Sequence, residues 1–188
     1  MLRFGLVLAF LGAACSADPA EEPLTAEESA AVTKAVEDTV ETLAEVRTTN
    51  FAVTALAYGL IPCADIETDR QTFLTVTYDC AKPFEITGTV HFEKSTPEQL
   101  ITITDLMVKD TAIDSATTLV VPQSPTAPRT FDGALVVDGP RRELTSIVSA
   151  SWVASGRCII LDAAGFVMLG ETEHAWTITA KKVCRRFF

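Results

Sequence analysis

Apolar residues change their spacing along this chain. They recur at helical spacing from Val32 to Val46 and in near-strict alternation from Thr72 onward. Val32, Val36, Val40, Leu43 and Val46 fall on one stripe at a 3.6-residue period, which predicts an amphipathic helix. Thr25-Ala-Glu-Glu28 in front of it is a capping-box pattern: the Thr25 hydroxyl can cap an early N–H while Glu28 reaches back. Glu37, Asp38, Glu41 and Glu45 are expected on the opposite, solvated side. Glu37, Glu41 and Glu45 repel at i,i+4, and acids near a helix C-terminus oppose the macrodipole, so the helix depends on docking its stripe. Phe51 to Ile61, closed by Gly59 and Pro62, is expected to continue it as buried helix.

From Thr72 the period is two. Leu74, Val76, Tyr78 and Cys80 alternate with Phe73, Thr75, Thr77 and Asp79. Phe84, Ile86, Val90 and Phe92 alternate with polar neighbours in the same way, the signature of antiparallel strands with one wet face. Ile101 and Ile103 are out of phase with Leu106 and Val108, so a bulge is expected near Thr104-Asp105. Shorter strands follow at Ala116 to Val121 and, after the Pro-rich stretch Pro122 to Pro128, at Phe131 to Val137. Leu144, Val148, Ala150 and Trp152 mark one face of a long strand that ends in a Ser155-Gly156 turn. Cys158 to Leu161 and Phe166 to Leu169 read as two buried strands around Gly165. Trp176, Ile178 and Ala180 mark the last strand, with Cys184 in phase. Gly88-Thr-Val-His-Phe-Glu93 is echoed by Gly133-Ala-Leu-Val-Val-Asp138, a likeness that generic hairpin patterning explains. The expected fold is α+β and mostly antiparallel: a long N-terminal amphipathic helix packed on a twisted antiparallel sheet or partial barrel.

The N-terminus adds an address. Arg3 precedes an apolar run, Phe4 to Gly12, of secretory length and too short to span a bilayer, which needs ~20 apolar residues. Gly12-Ala13-Ala14 before Cys15 resembles the lipobox of bacterial lipoproteins, in which the cysteine is lipidated and becomes the new N-terminus. Gly12 stands three positions before the cysteine, where that family prefers Leu. An ordinary secretory peptide cut near Ala14 or Ala17 is the alternative. The expected organisation is a signal peptide at 1–14, a lipid-anchored acidic tether at 15–24 and one helix-plus-sheet domain at 25–188. The membrane is then a partner through Cys15, and the location is the bacterial cell envelope.

The chain has 188 residues and five cysteines. If Cys15 carries lipid, Cys63, Cys80, Cys158 and Cys184 form an even set in an oxidising compartment. Of the three connectivities, Cys63–Cys80 with Cys158–Cys184 closes the shortest loops and is expected. The spacing Cys63…Tyr78-Asp79-Cys80, followed by Ile86-Thr-Gly88-Thr-Val90 and Leu106-Met-Val-Lys-Asp110, resembles a group of uncharacterised exported bacterial β-rich proteins. Ala64 stands where that group usually has proline. The resemblance covers Ile61 to Asp114, implies local Cys63–Cys80 pairing, and brings no activity with it.

Charge and chemistry narrow the function by exclusion. Beyond residue 14 the chain holds 14 bases and 25 acids, a net charge of −11. Residues 18–45 carry nine acids against Lys34 alone. Lys181, Lys182, Arg185 and Arg186 form a small basic cluster at the C-terminus, but nucleic-acid binding requires a broader basic face and is not expected. His91 and His174 lack metal-ligand spacing, and the P-loop, Rossmann and nucleophile-elbow motifs do not occur. Asp65-Ile-Glu67-Thr-Asp69 alternates carboxylates as a calcium loop begins, but Arg70 replaces the required Gly and Val76 the closing Glu. The pairs Asp110/Asp114 and Glu171/Glu173 read as turn residues. Neither catalysis, a cofactor nor a metal is therefore expected. The expected role is a non-enzymatic envelope lipoprotein acting structurally or on a protein partner. The alternative is an amphiphile or lipid carrier with an apolar cavity between helix and sheet. Its motivation is a surplus of large apolar side chains, all but Leu56 aromatic: Phe51, Leu56, Tyr58, Phe84, Phe92, Trp152 and Trp176.

Overall fold

The computed structural model describes residues 22–44, 55, 59–61, 63–82, 85–94, 99–109, 111–113, 118–122 and 126–184, without the side chains of 94 and 99–105. Among the described residues, helix α1 (Ala26–Leu43) precedes ten strands. They are β1 (Ala64–Thr68), β2 (Phe73–Cys80), β3 (Ile86–Lys94), β4 (Gln99–Val108), β5 (Thr111–Ile113), β6 (Thr118–Val120), β7 (Arg129–Asp138), β8 (Glu143–Ser155), β9 (Cys158–Leu169) and β10 (Thr172–Cys184). All pair antiparallel in one sheet, in the order β1-β2-β3-β4-β5-β7-β8-β9-β10. The short β5 and β6 share the slot between β4 and β7, one at each end. The sheet is thus a meander, in which nearly every strand pairs with its sequence neighbour, as hairpin-length connections demand.

Local chemistry sets the connections. Gly156-Arg157 and Gly170-Glu171 make two-residue hairpins, with both glycines in the left-handed region that such turns require (φ 63° and 59°). The β1–β2 connection is organised by Asp69, whose carboxylate accepts from the N–H groups of Gln71 and Thr72 at 2.8 and 2.7 Å. Bonds from the Thr72 hydroxyl and these backbone groups hold that carboxyl well below the usual carboxylate range. Asp69 is therefore a turn residue, while Asp65 and Glu67 are exposed on β1.

The bulge expected in β4 is present. Thr87 faces Met107 and Thr89 faces Thr104, so Asp105 and Leu106 together oppose Gly88, and both Leu106 and Val108 point inward. Three expectations need correction. Cys158 to Leu169 is one continuous strand, because Gly165 lets Trp176 lie across it without interrupting the ladder. A second bulge lies in β10: Thr179 and Ala180 both oppose Asp162, whose carboxylate accepts the Ala180 N–H at 2.8 Å. The bulge turns Ala180 and Cys184 outward and Val183 inward. Finally, Leu60, expected in the core, is 65% exposed, although Ile61 is buried and Ala55 is helical. Residues 51–54 and 56–58 lie outside the described residues, as do Phe84 and the pair Asp110/Asp114.

The two disulfides join Cys63 to Cys80 and Cys158 to Cys184. The first ties the start of β1 to the end of β2; the second links facing residues of β9 and β10. The helix covers β4, β7, β8 and β10. Val32, Val36, Val40 and Leu43 are at most 1% exposed, in one cluster with Phe92, Phe131, Leu144, Trp152 and Trp176. Burying each such aliphatic side chain contributes ~1.5–3 kcal/mol, which is how a helix rich in like charges is held.

Gly165 leaves no room for a side chain. A Cβ built there would sit 2.0 Å from the Ile147 carbonyl oxygen and 2.7 Å from Trp176 Cζ2. The Ile147 carbonyl belongs to the β8 ladder and cannot yield cheaply. Gly165→Ala is accordingly expected to cost roughly 2–3 kcal/mol by overpacking. Urea denaturation checks it: an unchanged midpoint would contradict this packing.

Candidate functional site

The helix carries a row of ionic contacts along its docking seam. Glu28 is fully buried and accepts from both neighbouring arginines of the β7–β8 turn. Arg141 Nε and Nη2 lie 3.2 and 3.0 Å from its carboxylate, and Arg142 Nε and Nη2 lie at 3.0 and 3.2 Å. Thr25 adds its backbone N–H at 2.9 Å and accepts the Glu28 N–H in return, so the expected capping box is formed. Burial alone would raise the Glu28 carboxyl; the guanidinium groups and Thr25 outweigh it and bring it from 4.5 to about 2. Arg141 also reaches Glu22 at 2.6 Å. Two charged forks thus bolt the helix N-terminus to a hairpin tip.

One helical turn on from Lys34, Asp38 is held by Lys34 and by Lys109 of the β4–β5 turn, the latter at 2.6 Å. Glu37 pairs with Lys181 of β10 at 3.3 Å. Here the expectation of a solvated acidic face fails: Asp38 is 7% and Glu41 5% exposed, and residues 38–44 are all buried. Seven consecutive buried residues cover the whole circumference of an α-helix, so the C-terminal half of α1 is enclosed. Asp38 and Glu37 are salt-bridged to Lys109 and Lys181, far along the chain, and these pairs fix the seat of the helix.

The residues singled out for chemistry are dispersed. His91 Nδ1 lies 2.9 Å from Thr75 Oγ1 on the neighbouring strand, and its ring stacks on Phe73 at 5.9 Å. His174 is half-buried beside the β9–β10 turn, in an open depression of about 510 Å³ with Pro23, Leu169, Glu171 and Thr172. A second open depression, about 440 Å³, lies over Thr130, Asp132, Ser149, Ser151, Asp162 and Thr177. Among the described residues no three His, Cys, Asp or Glu side chains converge as a metal site, and no helix is long and apolar enough to cross a membrane. Cys15 lies outside the described residues. Of the aromatics that suggested a container, Phe92, Trp152 and Trp176 are packed at 0, 2 and 6% exposure.

The face of the sheet turned away from the helix shows what the alternation reading missed. Outward positions of β7 to β10 face each other across the strands in rows. One row is Ala134, Ile147, Phe166 and Ala175; the next is Val136, Thr145, Met168 and Glu173. Ile147 is 40% and Met168 38% exposed, and Met107, reached from Val136 through Ala112, is 37%. A wet face should carry polar residues at these positions. The signal was present in the sequence, since Ile147, Phe166 and Met168 occupy the phase opposite to Val148, Val167 and Leu169. No protein-family model, curated protein or solved structure matches this chain.

Proposed function

We propose that this chain is a non-enzymatic lipoprotein of the bacterial cell envelope, anchored through lipid on Cys15, whose β-domain serves a protein-interaction role. The observation carrying the interaction role is the distribution of apolar surface: the described apolar residues on the helix side of the sheet are buried, while Ile147, Phe166 and Met168 are left on the opposite face. The anchor rests on the lipobox-like Gly12-Ala-Ala-Cys15. Two disulfides fit an oxidising compartment, and with Cys15 lipidated every cysteine has a role. Metabolic labelling with a lipid precursor should label the wild type and leave Cys15→Ala unlabelled and released from membranes. Equal labelling of both, or of neither, overturns the anchor.

One observation favours the carrier reading as well. Trp152 Nε1 and Thr39 Oγ1 are buried in the core without a hydrogen-bond partner among the described residues. An orphaned buried donor costs ~1–3 kcal/mol, and a polar ligand head or a trapped water would relieve it. Native mass spectrometry of the protein from membranes separates the readings: co-purified lipid lost in Trp152→Phe supports a carrier, and bare protein supports the interaction role.

A further inference from the structure

We infer that the outer face of β7–β9 is the docking surface for a protein segment that presents aliphatic side chains flanked by lysine or arginine. This rests on the interaction role proposed above and names the chemistry of the partner. The centre of the face is Ile147, Phe166 and Met168, bordered by Ala134 and Val136. With strands ~4.8 Å apart and alternate residues ~6.8 Å apart, the two rows span roughly 15 Å by 10 Å. A stable globular interface buries about 800 Å² per partner, so this area suits a short segment. Methionine, unbranched and polarisable, adapts to such ligands.

The rim decides the charge of the occupant. Asp132 lies beyond Ala134 on β7, Asp138 and Glu143 face each other past Val136, and Glu173 faces Met168. All four are exposed, and none makes an ion pair with a described residue. The outward bases of these strands, Arg157 and Lys182, lie at the far end, around the β8–β9 turn and its neighbouring strand. A second copy of the chain would set these acids against their equals. An anionic membrane surface would be repelled in the same way. A cationic segment with apolar anchors satisfies both centre and rim.

The test uses the full chain and a fluorescent twelve-residue peptide of alternating Leu and Lys, with its Leu/Glu counterpart, followed by anisotropy. Binding of the Lys peptide should weaken at least tenfold in Ile147→Ser/Met168→Ser and at least threefold in Glu143→Gln/Glu173→Gln. It should be unchanged in Asp65→Asn/Glu67→Gln, which removes the same charge from the outside of β1. A photoreactive Lys peptide should also crosslink to β8 and β9 of the wild type, a readout independent of how the variants fold. The inference is overturned if the β1 variant weakens binding equally, which would mean net charge alone. It is likewise overturned if the Ile147/Met168 variant binds as the wild type does, if the Glu peptide binds as well as the Lys peptide, or if neither binds. A dimer in sedimentation that Ile147→Ser/Met168→Ser abolishes would give the face to self-association, overturning the cationic occupant while leaving the interaction role standing. Anchoring is judged separately, by Cys15 labelling.

Discussion

Glu28→Ala is expected to lower the unfolding free energy by about 4 kcal/mol. Two losses combine. Removing one side of a buried charge cluster costs ~3–5 kcal/mol when its partners stay buried; Arg142 does, whereas Arg141 is 38% exposed and regains water, which favours the lower end. Loss of the capping box at Thr25 adds ~1 kcal/mol. Glu28→Gln keeps the shape and part of the bonding, so it should cost less and isolate the charge. The charge also has a pH signature. The folded carboxyl titrates at about 2, below the ordinary 4.5 of the unfolded chain. Its stabilisation is therefore complete above pH 4.5 and is lost as the pH falls from there toward 2. At ~1.4 kcal/mol per pKa unit, the wild type should lose about 3 kcal/mol over that window through this group. Glu28→Gln should show a correspondingly shallower acid limb in urea titrations at successive pH values. Parallel limbs in the two proteins would show that Glu28 does not carry the effect.

The same residue marks how far the sequence could be read. Thr25 and Glu28 are three positions apart, so their reciprocal cap is a local fact and was legible. The second role of Glu28, holding Arg141 and Arg142, joins groups 113 and 114 residues distant. Only the fold could reveal it. Asp38 follows the same logic: its helical position suggested a solvated face, but Lys109, 71 residues on, comes down onto it. An acid with an arriving cation can be buried where an unpaired one cannot.

The two bulges make a similar contrast. In β4 the apolar residues of the sequence change phase between Ile103 and Leu106, so the extra residue was visible as a broken alternation. In β10 Trp176, Ile178 and Ala180 keep phase to the very residue that bulges, and the cause is the Asp162 carboxylate on another strand. Both hairpins behind the Gly88/Gly133 likeness, β3–β4 and β7–β8, exist as separate hairpins of one meander. Shared hairpin patterning is enough to explain them. The outer apolar face is written in the sequence, but alternation assigns a strand by its inward phase and says nothing about apolar residues in the other phase.

Cys158→Ser/Cys184→Ser is expected to cost about 3.5 kcal/mol, the loop-closure value for a bridge spanning 26 residues. For a domain of this size that is a fall in thermal midpoint of roughly 10 °C. The position of the bridge makes the effect local as well as global. β10 is an edge strand whose ladder to β9 is interrupted at Thr179-Ala180, leaving Lys181–Cys184 as a separate short pairing. Cross-linking its last residue keeps that segment on the sheet, and hydrogen exchange should be fastest there in the variant. The two bridges should also differ in how readily they open. Cys80 is 2% exposed, whereas Cys184 is exposed and Cys158 half-buried at a hairpin turn. Graded reduction followed by alkylation and mass spectrometry should therefore modify Cys158 and Cys184 before Cys63 and Cys80. An unchanged midpoint after selective reduction would mean that the β9–β10 ladder holds the edge without its bridge.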